Sequence, residues 1–334
     1  MKKLLKVFIL VTIISGLLLT GCAPAVQTTT PTATVVNAPT STTESTTAAS
    51  TDKLVIYAPA STSSIPVILA ASKLKNVELT LYTNQSQANT LFLRGDVSIL
   101  VTGLSVGVDL FKNGAPVQMT NSFVSGLSYL VTYGKKVNSW ADLKGQQIYL
   151  PFAGSPIEEA TTYLAEQAGL KYGTDLTPVY SPFDSSVVLL KEGKATAVVL
   201  PEPYVTLVEG QPNVNISLSY FDEWNKAAGN KQGYPQVGSF VNSTWAKTHT
   251  AEITEFNQAL GEAITSVEND PATAVKSVSS YYKLTPELLL KSLSRTRFNL
   301  TVGQEMQESI ANYYQTIGKP LDEKYTDFYF LSAK

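Results

Sequence analysis

The sequence predicts an α/β protein with two lobes, in which helices flank mainly parallel sheets and a ligand cleft lies between the lobes. Strand-like apolar segments alternate with helical segments from residue 53 onward, which is the order that βαβ units produce. The chain also has 334 residues, more than one hydrophobic core normally serves. With 44% hydrophobic and 16% charged residues, its composition is that of a globular protein.

The first βαβ series precedes residue 115. Its expected strands are 53–57, 77–82 and 97–101, and its expected helices are 65–74, 87–94 and 104–112. Gly95 and Gly114 follow the second and third helices, as is usual where helices end.

A second series begins after the strand 129–133. Strands are expected at 147–150, 176–180 and 195–200, and helices at 156–168, 185–191 and 204–208. A strand at 238–245 then returns to the first series, followed by helices at 251–268, 271–282, 286–293 and 302–316. Asp270-Pro271 predicts a capped helix start, and Thr301-x-x-Gln304 predicts a capping box. We therefore expect a first lobe of residues 53–126 plus 236–334, a second lobe of residues 127–235, and a hinged cleft.

The first 52 residues differ in composition from the rest. Three lysines precede an apolar run from Val7 to Leu19, which is too short for a membrane span and fits a secretory signal peptide of residues 1–21. Leu19-Thr-Gly-Cys22 resembles the bacterial lipoprotein cleavage box, which implies lipidation of Cys22 and a membrane anchor. Residues 22–52 are rich in Thr and Ser and predict a disordered tether. The signal peptide and the lipidation box together predict an extracytoplasmic protein.

Charge and cysteine content exclude several classes of protein. Without the three leader lysines, 22 basic residues face 27 acidic ones, which argues against a nucleic-acid partner. Cys22 and His249 are the only residues of their types, so one chain can assemble neither a Cys/His zinc site nor a disulfide. We expect a monomer without a metal or other cofactor.

Three segments, in order and spacing, resemble one family. They are Leu93-Arg-Gly-Asp-Val-Ser-Ile-Leu-Val-Thr-Gly103; Trp140-Ala-Asp-Leu-Lys-Gly-Gln-Gln-Ile148 with Gly154-Ser155 and Leu164-Ala-Glu-Gln-Ala-Gly-Leu170; and Leu190-Lys-Glu-Gly-Lys-Ala-Thr-Ala-Val-Val-Leu-Pro-Glu-Pro-Tyr204. The chain resembles the substrate-binding proteins of ABC importers for nitrate, sulfonates, taurine and thiamine precursors, with a periplasmic-binding-protein type II-like fold. The resemblance implies capture of a small solute, delivery to an ABC permease and its ATPase, and no catalysis.

Ligands of open α/β sheets bind beyond the carboxyl ends of the strands, and this rule selects the candidate ligand-binding loops. The candidate residues are Ser61, Thr62, Ser63, Thr102, Gly103, Gly154, Ser155, Asp184, Glu202 and Tyr204, with Asn121 in the first crossover as a further candidate. Several have ordinary structural explanations. Ser155-x-x-Glu158 with Pro156 is by itself a good helix start, and Glu202 beside a helix can act on the helix dipole.

The positions of the arginines limit how strongly the cleft could hold an anionic ligand. Arg94, Arg295 and Arg297 are the only three, and none lies in a candidate loop, so a guanidinium clamp for phosphate or sulfonate is not evident. A neutral or weakly cationic organic ligand is as consistent with these residues as a small oxyanion held by helix amides.

Two other classes remain open. Gly103-Leu-Ser-Val-Gly107 matches the G-x-S-x-G nucleophile elbow, and Ser105 with His249 would then form part of a serine hydrolase site. A membrane-anchored sensory or adhesion domain could use the same fold. A gene neighbourhood with a permease and an ATPase would favour transport over both.

Overall fold

The computed structural model describes residues 53–331. The leader, Cys22 and the tether lie outside the described residues. The strands, in chain order, are β1 (Leu54–Pro59), β2 (Val77–Tyr82), β3 (Ile99–Gly103), β4 (Val117–Gly126), β5 (Ser128–Tyr133), β6 (Gln146–Leu150), β7 (Leu176–Tyr180), β8 (Ala197–Pro201), β9 (Val214–Ser219), β10 (Val237–Asn242) and β11 (Arg297–Val302).

Helices separate most of these strands. The α-helices are α1 (Ser64–Lys73), α2 (Gln85–Arg94), α3 (Leu104–Lys112), α4 (Pro156–Gln167), α5 (Phe183–Lys191), α6 (Tyr204–Val208), α7 (Tyr220–Ala228), α8 (Ser243–Ala246), α9 (Thr250–Asn269), α10 (Pro271–Val278), α11 (Pro286–Leu293) and α12 (Gly303–Thr316). Short 3-10 helices occupy Trp140–Leu143, Ser279–Tyr281 and Glu323–Phe328.

The strands form two sheets, and each sheet belongs to one lobe. The first has the order β11-β4-β10-β3-β1-β2, and the second has the order β7-β6-β8-β5-β9. Three parallel strands stand together in each sheet, as βαβ connections require. Beside them runs one antiparallel strand, β10 in the first sheet and β5 in the second. β5 is the first strand of the second lobe, and β10 is the strand by which the chain returns to the first lobe.

Both sheets are mixed, which corrects the expectation of mainly parallel ones. Among the described strands, five of the nine neighbouring pairs are antiparallel. β5 and β10 do not enter their sheets through a βαβ crossover, so nothing constrains them to run parallel to their neighbours. Sequence analysis also missed β4, β9, β11 and α7.

Helix starts agree with the sequence in part. The Asp270 carboxylate accepts a hydrogen bond from the Thr273 amide, with Pro271 at the first helical position, as expected. The capping box at Thr301 was wrong, because Thr301 belongs to β11 and α12 begins after Val302 without a side-chain cap. The strand expected at 238–245 ends at Asn242, whose side chain caps α8.

One hydrophobic cluster extends through both lobes. It contains Leu104 and Val108 from α3, Ile157 from α4, Trp224 from α7 and Tyr313 from α12. α3 and α12 flank the first sheet, whereas α4 and α7 flank the second. The two lobes are thus joined by packed apolar side chains as well as by the chain itself.

Candidate functional site

A cleft lies between the lobes, at the carboxyl ends of parallel strands from both sheets. Its main cavity has a volume of about 570 Å³, within the range of small-molecule sites. The first lobe contributes the segments after β1 and β2, and the second lobe contributes the segments after β6, β7 and β8. A smaller space of about 150 Å³ adjoins it and reaches the two crossovers at Leu127 and Gln236.

The first-lobe wall is an uncharged network of hydroxyl and amide groups. The Tyr82 hydroxyl donates to the Val101 carbonyl (2.9 Å) and to Gln85 Oε1 (3.1 Å). Thr102 Oγ1 donates to the same Gln85 oxygen at 3.0 Å. Burial raises the pKa of Tyr82 to about 12, although its side-chain contacts with Thr102 and Gln85 act in the opposite direction. This wall therefore presents neutral dipoles at neutral pH.

The segment after β1 brings three predicted residues together, of which two line the cleft. Ser61 and Ser63 line it, and their hydroxyl oxygens are 2.6 Å apart. The Thr62 side chain points away and lies 2.8 Å from the Thr296 hydroxyl in the first lobe. Ser63 is fully buried and Ser61 is half-buried, so Ser61 is the more accessible of the two to a ligand.

The segment between β6 and α4 is held by its own hydrogen bonds. Ser155 lines the inner part of the cleft and caps α4 by accepting from the Glu158 amide at 3.1 Å. The Glu158 carboxylate accepts from the Gly154 amide and from the hydroxyls of Tyr172 and Tyr180. The Gly154 backbone has a φ of +76°, in the region that glycine adopts without strain. Ser155 and Pro156 therefore form the helix start that the sequence predicted.

An aromatic wall on the second lobe carries one carboxylate. Phe152 lies partly exposed at the cleft, and the rings of Phe183 and Tyr204 are 5.3 Å apart. Burial and the neighbouring Asp184 carboxylate raise the pKa of Tyr204 to about 12. Asp184 is the only charged side chain among the described residues that line the cleft. A bound ligand therefore meets aromatic faces, neutral dipoles and a single negative charge.

Glu202 occupies a different place, in a contact between the lobes. Its fully buried carboxylate accepts from Arg295 at 3.1 Å and from the amide and hydroxyl of Thr206. Arg295 also pairs with Glu209 at 2.6 Å, as does Lys291 at 2.9 Å. We call Glu202, Glu209, Lys291 and Arg295 the interlobe clasp. Burial raises the pKa of Glu202, although Thr206 and Arg295 act in the opposite direction.

Asn121 and Gly103 also have structural contacts of their own. Asn121 lies within β4 of the first sheet and not in the crossover where it was expected, and its buried side chain donates to Asn257 Oδ1 at 2.7 Å and accepts from the Ser239 amide at 3.1 Å. It does not line the cleft. Gly103 does, and a β-carbon there would come within 2.7 Å of Pro156 on the other lobe. Gly103 thus allows the lobes to approach closely.

The two residues of the hydrolase alternative lie apart. Ser105 donates to the Gly154 carbonyl at 2.7 Å, beside the carboxyl end of β3. His249 follows the opposite end of the antiparallel strand β10, so a strand length on the order of 17–20 Å separates the two regions. Its ring stacks on Trp245, and Nδ1 lies 2.9 Å from the Trp245 carbonyl. The structure therefore gives the hydrolase alternative no support.

Sequence reasoning missed seven polar residues that line the cleft, namely Tyr82, Thr83, Asn84, Gln85, Ser86, Ser128 and Gln236. The strand-end rule would have selected Tyr82, because it ends β2. Gln236 gave no sequence signal. Its side chain accepts from the Leu127 amide at 3.1 Å and donates to Ser128 Oγ at 3.3 Å, which ties one crossover to the other.

No group of three or more His, Cys, Asp or Glu side chains is placed to hold a metal ion within residues 53–331. Over the same part of the chain, every helix is too short or too polar to cross a bilayer.

Comparison with known proteins agrees with this architecture. The ligand-binding component of an ABC-type import system from Staphylococcus aureus, solved with zinc bound, has a TM-score of 0.69 and 14% identity over 84% of this chain and 96% of that chain. The aliphatic sulphonate-binding protein SsuA from Escherichia coli has a TM-score of 0.67 and 18% identity, covering 80% of this chain and 86% of that one. The alkanesulfonate-binding SsuA from Xanthomonas axonopodis pv. citri, bound to MOPS, has a TM-score of 0.68 and 15% identity, covering 85% and 100%.

These structures establish a periplasmic-binding-protein type II-like fold. No curated protein matches the chain. The family model described as NMT1/THI5 like matches residues 75–274, more than half of the sequence. The chain therefore belongs to the NMT1/THI5-like family.

Proposed function

We propose that this protein is the extracytoplasmic solute-binding component of an ABC importer. It captures a small organic solute between its lobes and delivers it to the permease and its ATPase. The main support is the cleft of about 570 Å³, whose walls are formed at the carboxyl ends of parallel strands from both sheets. Membership of the NMT1/THI5-like family and the fold shared with import proteins support the same function.

The proposed ligand is a neutral or weakly cationic organic molecule. Two of the solved relatives bind sulfonates, which are anions. In this cleft the charged side chain is Asp184, and no described lining residue is a lysine or arginine. An anion would depend on helix amides alone, and it would approach a carboxylate. Phe152, Phe183 and Tyr204 favour a ligand with a flat apolar part.

The proposed mechanism is a shift of population between open and closed arrangements of the lobes. The ligand contacts both walls only when the lobes are close, so its differential affinity favours the closed arrangement. We place the hinge at the crossovers 126–127 and 235–236, which Gln236 links. Lipidated Cys22 and the tether of residues 22–52 would hold this body at the membrane, as a monomer.

Thermal unfolding of the purified full chain against a panel of solutes tests this function. The panel contains sulfonates, nitrate, bicarbonate, pyrimidines, polyamines, riboflavin and short peptides, each also assayed for chemical change. A solute at 100 times its Kd stabilises the protein by about 2.7 kcal/mol and raises Tm measurably. We expect one neutral or cationic class to bind and to be recovered unchanged.

A matched pair of variants on α5 assigns the binding to the cleft. Phe183→Ala removes a ring from the aromatic wall, whereas Val188→Ala alters an exposed side chain on the same helix. We expect the first variant to abolish the ligand-induced Tm shift and the second to retain it. Equal retention in both, or hydrolysis of ester substrates without any solute binding, would contradict the proposed function.

A further inference from the structure

A second cavity, which we call the rear cavity, has a volume of about 350 Å³ and shares no lining residue with the cleft. Its first-lobe walls are β4, β11 and one stripe of α12. Its second-lobe wall is Trp224 of α7, and the segment that leads back to β10 closes it. Both lobes and one crossover therefore shape this space.

Two buried polar groups at the rear cavity have no hydrogen-bond partner in the described structure. They are the Thr301 hydroxyl and Trp224 Nε1, and both side chains are less than 5% exposed. Asn299 and Thr301 alternate along β11 and both line the cavity, as does Ser122, which is paired with Thr301. This alternation places the Thr301 side chain on the cavity face of the sheet. Unsatisfied buried groups of this kind are uncommon, and each can be satisfied by an oxygen atom of a bound molecule.

The charge of the rear cavity is negative. Glu305 and Glu308 lie one helical turn apart on the α12 stripe, and neither forms an ion pair within the described part of the chain. Glu308 accepts a hydrogen bond from Gln304 at 2.9 Å. The other polar lining groups are uncharged amides and hydroxyls, and the described lining contains no lysine or arginine.

We propose that the rear cavity binds a small hydroxylated organic amine. Its ammonium group contacts Glu305 and Glu308, and its hydroxyl oxygen accepts from Trp224 Nε1 and bonds to the Thr301 hydroxyl. Charge-assisted hydrogen bonds to carboxylates are the stronger part of such a contact. Amine binding itself does not depend on the function proposed above.

The test titrates the full-length protein in cacodylate buffer, which is free of amines and does not precipitate calcium, with ethanolamine, diethanolamine and tris(hydroxymethyl)aminomethane. Calorimetry and tryptophan fluorescence report binding, the latter because Trp224 lines the cavity. Glycerol serves as the uncharged probe and calcium chloride as the inorganic cation. We expect at least one amine to saturate with at least tenfold higher affinity than glycerol and calcium. Equal affinity for glycerol, tighter binding of calcium, or no amine binding would overturn the proposal.

Variants locate the bound amine. Glu305→Gln with Glu308→Gln should weaken the amine at least tenfold, and Thr301→Val should weaken it several-fold. Glu268→Gln, an exposed carboxylate change on α9, should leave its affinity within twofold, as should Phe183→Ala in the cleft. Circular dichroism confirms that each variant is folded. An unchanged affinity in the double variant, or a loss caused by Phe183→Ala, would overturn the assignment to this cavity.

Discussion

Replacing Arg295 with methionine removes the cation that faces Glu202 across the interlobe clasp. Glu202 is fully buried, and the Arg295 side chain is 20% exposed. Breaking a buried ion pair by removing one partner costs about 3–5 kcal/mol, mostly because the other charge stays buried without compensation. Since Arg295 is partly solvated, we expect the lower end, about 3 kcal/mol, in urea unfolding at pH 7.

The loss should depend on pH with a definite sign. Burial already holds the pKa of Glu202 above its usual value, and removing Arg295 raises it further. A carboxyl whose pKa is raised by folding lowers the stability of the protein progressively as the pH rises from its unfolded-state pKa to its folded-state pKa. The deficit of Arg295→Met should therefore grow as the pH rises through the folded-state pKa and shrink below the unfolded value of about 4.3.

Two further variants make this prediction refutable. Lys291→Met removes the other cation of the clasp, whose side chain is 51% exposed, and should cost about 0.5 kcal/mol. Adding Glu202→Gln to Arg295→Met should recover much of the loss, because the buried charge is then gone. A deficit for Arg295→Met no larger than that for Lys291→Met, or one that does not shrink in acid, would refute the reasoning.

Three other changes have definite outcomes. Gly103→Ala places a methyl group against Pro156 on the other lobe, so it should cost about 1–3 kcal/mol of unfolding free energy and weaken solute binding, measured by urea unfolding and calorimetry. Ser105→Ala removes the hydrogen bond to the Gly154 carbonyl and should cost about 1–2 kcal/mol in the same unfolding assay. Burial raises the pKa of Glu159, despite Lys319, so Glu159→Gln should gain stability relative to the natural chain as pH rises from about 4 to 7, measured by urea unfolding across pH.

Each of these changes has a control of the same chemistry. Gly261→Ala meets only the flexible end of Leu300 and lies within α9, so it should be neutral or stabilising. Ser72→Ala removes an exposed hydrogen bond and should cost under about 0.5 kcal/mol. Glu262→Gln should show no gain on raising the pH, because Lys73 and Gln258 lower the pKa of that exposed carboxylate. A control that matches its test variant would contradict the corresponding explanation.

The sequence predicted the helices and strands that have a clear hydrophobic period, and it missed elements such as β4 in which polar side chains interrupt that period. β4 contains the polar residues Thr120, Asn121 and Ser122, of which Asn121 was expected in a crossover, yet all three are buried in the strand. Asn257 on α9 satisfies Asn121, and a partner 136 residues away leaves no local signal. The cavity lies at the strand ends that the strand-end rule selects, but Gln236 was missed because its contacts depend on where the two crossovers meet.

Glu202 illustrates the limit of choosing site residues by loop position. It follows the carboxyl end of β8, which is where a ligand-binding residue is expected. Its side chain instead meets Arg295, which lies 93 residues further along the chain. Whether a polar residue faces a ligand or a neighbouring lobe depends on tertiary contacts that spacing does not encode.

The strand order also sets a sequence of assembly along the chain. The second sheet uses the continuous stretch from Ser128 to Ser219, so all its strands exist once that stretch has been made. In the first sheet, β10 separates β4 from β3, and β4 has no neighbour until β10 and β11 appear, more than 100 residues later. During synthesis the second lobe can complete its sheet first, while β4 remains an open, pairing-competent edge. Folding of the first lobe therefore depends most on keeping the unpaired β4 from aggregating before the chain is finished.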